Sequence, residues 1–92
     1  MDSDASYRNH VGVPNLSGKR QHRVLVALGE TIREVRLSKG ISQEKLALRA
    51  EVDRSYVGRV ERGDNNVAVL TLARLAAALD LTVAKLMQRA GL

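Results

Sequence analysis

The stretch that decides the fold is QEKLALRAEVDRSYVGRVER, residues 43–62. Its apolar residues fall at Leu46, Ala50, Val52, Val57 and Val60, with small Ala47 between the first two. This order predicts two short helices crossing steeply. Leu46 and Ala50 of the first meet Val57 and Val60 of the second. Val52 fills the turn and Ala47 lets the two backbones approach. Ser42 stands where a helix N-cap is needed, with Lys45 rather than glutamate three residues on. Asp53 occupies the matching position for the second helix, and Gly63 closes it.

Outward from this pair, the helical period continues. Leu25, Leu28, Ile32 and Val35 recur at three- and four-residue steps, predicting a helix over 24–38 that Lys39 and Gly40 terminate. After the loop GDNN, TLARLAAALDL predicts a fourth helix with Thr71 early and Asp80 at its end. Thr82 caps a fifth, VAKLMQRA, stopped by Gly91. Residues 1–22 are polar and aperiodic and carry the only proline, Pro14, so they are expected to form a flexible N-terminal arm. Residues 23–92 form the domain. The fold class is all-α: five helices, two of them in a helix-turn-helix.

Composition removes several functions. There is no cysteine, so no thiolate metal site, no cysteine nucleophile and no disulfide. Both histidines, His10 and His22, lie in the arm, a poor place for a rigid metal or catalytic centre. No metal, cofactor or enzymatic role is expected. No apolar run approaches the ~18 residues of a membrane span and no signal-peptide core is present, so the expected location is cytoplasmic. The net charge of +5 favours a polyanionic partner, nucleic acid before membrane. Two tyrosines without Phe or Trp argue against stacking single-stranded bases. Lys19, Arg20 and Arg23 make the end of the arm basic, as a solvated leader or a DNA-contacting one.

ISQEKLALRAEVDRSYVGRVERG, followed by a polar loop and LARLAAALDLTVAKLM, resembles the Cro and phage-repressor (XRE-type) helix-turn-helix family over residues 24–90. The DRSYVGRVERG core with its Asn-rich loop is similar to the controller proteins of restriction–modification systems. The resemblance implies a lambda-repressor-like domain whose third helix enters the major groove of double-stranded DNA, usually as a homodimer on a two-fold operator. Transcriptional regulation, with possible contact to RNA polymerase, would follow. The alternatives are an antitoxin of the same fold, or a protein-interaction module that has lost DNA binding. One departure stands out: the family usually places glycine in the turn where this chain has Glu51, because a left-handed backbone is required there. Tolerated strain at Glu51 is the favoured reading.

At 100° per residue, Val57, Val60 and Glu61 share the inward side of the third helix, and Ser55, Gly58, Arg59 and Arg62 the outward side. The N-terminal part of such a helix reaches base edges, which makes Arg54, Ser55 and Arg59 the expected readers. An arginine fork can donate two hydrogen bonds to guanine O6 and N7. Arg62, at the far end, is expected to meet solvent or an ion-pair partner instead. Gly58 is expected to let the helix sit deep between the readers. Gln43, Tyr56, Asn65 and Asn66 are the candidate contacts to the DNA backbone. The resemblance pairs Arg36 with Glu61 in a structural ion pair. Leu70, Met87 and Leu92 are the apolar residues this small core is least able to bury, and so the candidates for a dimer seam.

Overall fold

A computed structural model describes residues 22–92. The arm through residue 21, with His10, Lys19 and Arg20, lies outside the described residues. The chain runs α1 (Arg23–Ser38), α2 (Gln43–Ala50), α3 (Arg54–Glu61), α4 (Val69–Ala78) and α5 (Val83–Arg89), with no strand among the described residues. α1 packs on α3 and α5, α2 on α3 and α4, and α4 on α5. The core lies at their crossing. Ile32, Leu46, Leu75, Leu79, Leu86 and Val57 are its largest fully buried side chains, and complete burial of each contributes about 1.5–3 kcal/mol. Ala47 and Ala50 are buried beside them, while Val52 packs against the cluster from the turn.

The helix starts follow local chemistry. Ser42 and Thr82 accept from the backbone N–H of Lys45 and Lys85, each at 3.0 Å. His22 belongs to the folded part: its Nδ1 accepts from Val24 N–H at 3.1 Å and caps α1. Asp53 has the extended backbone of an N-cap but makes no side-chain cap bond. α4 starts at Val69, two residues before the expected Thr71, behind Ala68, which has no capping side chain to offer.

All five helices end the same way. In each, a residue two or three past the helix donates its backbone N–H five residues back: Ile41 to Arg36 O, Val52 to Ala47 O, Asp64 to Arg59 O, Leu81 to Ala76 O and Leu92 to Met87 O, at 2.9–3.3 Å. This closure places the intervening residue in a left-handed conformation. Gly40, Gly63 and Gly91 take it at φ 70°, 78° and 78°. Glu51 and Asp80 take it with a side chain attached, at φ 61° and 62°. Glu51 is therefore left-handed, as expected. Asp80 is a second such residue, beyond the helix it was expected to end. Following residues Ile41, Val52 and Leu81 pack against the core, so each turn aims an apolar side chain inward.

Candidate DNA-binding surface

The position of α3 is fixed from two sides. On the α1 side, Gly29 lies against its last turn: a Cβ there would stand 2.8 Å from Glu61 O and closer still to Val60 O. The two backbones touch because Gly29 has no side chain. On the same side, Arg36 and Glu61 form a two-pronged ion pair, Nε to Oε2 at 2.7 Å and Nη2 to Oε1 at 3.1 Å. The Glu61 carboxylate is 2% exposed. Arg36 Nη1 also donates to Ile41 O at 3.0 Å, and Gln43 Nε2 donates to Glu61 Oε1 at 3.0 Å. One buried carboxylate thus ties α1, the start of α2 and the end of α3 together, with its polar atoms satisfied.

The turn between α2 and α3 is held from the other side. Arg74 of α4 donates through Nε to Ala50 O at 3.0 Å, taking up a carbonyl at the end of α2. Arg74 interrupts the apolar run of α4, LARLAAAL, which was the sequence signal for such a role. Gly29 carried a signal too, since a mid-helix glycine costs about 1 kcal/mol against alanine.

With the inward face committed, the outward face of α3 follows. Arg54 and Ser55 are exposed at its N-terminal end. Arg59 is half-exposed, its guanidinium carbon 5.7 Å from the centre of the Tyr56 ring, within cation–π range. Tyr56 is half-buried against the core. Burial pushes its hydroxyl above the ordinary 10.0, with Arg59 and Arg74 pulling it part of the way back. Tyr56 therefore lies over the core and under the Arg59 guanidinium. Asn65 is buried at 8% exposure and Asn66 is exposed, so only Asn66 of the loop pair is open to a ligand.

Two expectations change. Gly58 is not an open gap: it is buried, its nearest neighbours in the space of a missing Cβ being Arg62 Nη1 at 3.3 Å and the Gln43 carboxamide at 3.8 and 3.9 Å. Arg62 does pair, Nε to Asp64 Oδ2 at 3.3 Å, but it also folds back over Gly58. Among the seam candidates, Met87 is half-buried against the core. Leu70 and Leu92 stay exposed, at 77% and 48%, and Val69 beside Leu70 is 73% exposed.

Charge follows the same geometry. Residues 42–66 hold five cations (Lys45, Arg49, Arg54, Arg59, Arg62) and five acids (Glu44, Glu51, Asp53, Glu61, Asp64). Glu61 is withdrawn and neutralised by Arg36, from outside the segment. Five against four remain toward solvent or a partner.

A protein whose third helix is anchored inward and bears arginines outward behind a left-handed turn is a DNA-binding regulator of the helix-turn-helix class. The family model described as helix-turn-helix matches residues 32–86, and the chain belongs to that family. It is similar to the control protein C.SmaI of Serratia marcescens, 45% identical over 65 residues, 71% of this chain and 77% of that one. Among solved structures it is similar to the restriction–modification controller protein C.AhdI from Aeromonas hydrophila, with a TM-score of 0.69 and 48% identity over 71% of this chain and 98% of that one. It is also similar to C.Esp1396I in a nucleoprotein complex, with a TM-score of 0.68 and 27% identity over 73% of this chain and 87% of that one. Among the described residues, no helix is long and apolar enough to cross a membrane.

Proposed function

We propose that two copies of this chain bind a two-fold DNA operator and control transcription from the promoter they occupy, in the manner of a restriction–modification controller. One observation carries the reading: Arg54, Ser55 and Arg59 stand toward solvent on a helix whose opposite face is fixed by Gly29 and the Arg36–Glu61 pair. Anchored this way, α3 presents its forks in one orientation, which direct base readout requires. Gln43 and Asn66 flank the helix as backbone contacts that set the register. Leu70 and Leu92, with Val69, form the dimer seam. Regulation then acts through promoter occupancy and contact with RNA polymerase.

The control and controller names of the similar proteins favour this over the antitoxin and interaction-module alternatives. Footprinting on the DNA upstream of its own gene tests it: a protected stretch with two related half-sites is expected. Absence of any protected site there, and of any selected from random DNA, would refute it.

A further inference from the structure

Arg62 lies at the C-terminal end of α3, yet its guanidinium lies in the middle of the outward face. Nη1 stands 3.3 Å from where a Gly58 side chain would begin, and the Gln43 carboxamide is at 3.8–3.9 Å from the same point. The Arg62 guanidinium, from the end of α3, and the Gln43 carboxamide, from the start of α2, therefore converge on one spot. Each is held from behind. Asp64 engages Arg62 Nε at 3.3 Å, and Glu61 takes Gln43 Nε2 at 3.0 Å. Any side chain at residue 58 would start within tight contact distance of the guanidinium.

We propose, on the reading that this face binds DNA, that Gly58 is the seat of Arg62, and that Arg62 and Gln43 together hold one backbone phosphate. A guanidinium in this place offers a fork to two phosphate oxygens, and its charge is what a phosphate needs. The missing Gly58 side chain serves Arg62 rather than the approach of a base. Arg62 is a positioning residue for the readers: it sets how α3 lies in the groove without distinguishing bases.

The test uses the full chain and two fluorescent duplexes, one selected from a random pool by the unmutated protein and one unselected. Arg62→Ala is expected to weaken binding to both duplexes by a similar factor, about tenfold. It should also lower the salt dependence by about one phosphate, a change of roughly 0.9 in the slope of log K against log salt. Selection repeated with Arg62→Ala should return the same base preferences. Gly58→Ala should weaken binding in the same uniform way, and Gly58→Ala/Arg62→Ala should be no weaker than Arg62→Ala alone. Circular dichroism verifies that the variants fold. Unchanged affinity and slope in Arg62→Ala would overturn the proposal, as would an altered preference at one base position or additive losses in the double variant. If Arg54→Ala weakens the selected duplex while Arg62→Ala does not, the phosphate seat fails and the DNA-binding reading survives. If the unmutated chain selects no duplex, that reading fails and the seat falls with it.

Discussion

Glu51 carries a conformation that glycine would adopt at lower cost. Its φ of 61° comes from the helix ending it serves, which Gly40, Gly63 and Gly91 serve without a side chain. Left-handed backbone costs a side-chain-bearing residue about 1–2 kcal/mol, and glycine's larger unfolded-state entropy takes back part of that. Glu51→Gly is expected to stabilise the fold by about 0.5–1 kcal/mol in urea denaturation, with base preference unchanged. Asp80→Gly should gain less, because aspartate tolerates this region better. Gly29 is the opposite case. A methyl there must displace the backbone at Val60 and Glu61, so Gly29→Ala should cost roughly 3 kcal/mol or prevent folding. Tyr56 links stability to pH. Its raised folded value means the unfolded chain loses the phenolic proton first as pH rises. Its contribution is therefore present below the ordinary 10.0 and lost as pH climbs through the folded value. Tyr56→Phe should flatten the alkaline limb of stability against pH.

At the scale of elements, α3 is fixed by contacts its own sequence only half announces. Arg36–Glu61 joins residues 25 positions apart in the chain with both side chains nearly dry. Glu61→Ala would strand a buried guanidinium, an expected loss of about 3–5 kcal/mol by denaturation. Changing Arg36 and Glu61 together to apolar residues of similar volume should recover much of it. Helix existence was legible because apolar spacing, Ser42, Thr82 and the terminating glycines are local signals. The inward placement of Val57, Val60 and Glu61 was legible from the 3.6-residue period. Three things were not. The start of α4 at Val69 has no capping side chain behind it to announce it. The partner of Arg74, Ala50 O, lies 24 positions away, so the break in the α4 apolar run could mark Arg74 but not what it holds. Gly58 misled because a helical wheel assigns directions to Cβ atoms, whereas the long Arg62 side chain lies back over the preceding turn.

For the whole molecule, association and DNA binding are one prediction. On the proposed reading, Arg54 and Arg59 serve one half-site per chain, and a two-fold operator needs two chains at a fixed spacing. Leu70→Lys should leave the fold intact and shift sedimentation toward monomer at micromolar concentration. Binding to a two-half-site duplex should fall with it, while binding to a single half-site changes little. The Arg36–Glu61 anchor, the left-handed turn at Glu51 and the exposed arginines acquire a common purpose only if α3 reads bases. The most direct measurement is a base-preference profile, taken by selection from random duplex DNA, for the unmutated chain, Arg54→Ala, Arg59→Ala and Gln43→Ala. Each arginine variant should lose about 1–3 kcal/mol on the selected site and relax preference at one position per half-site, while Gln43→Ala weakens all sequences alike. Arginine variants that weaken every sequence equally, with the profile unchanged, would contradict base readout by α3.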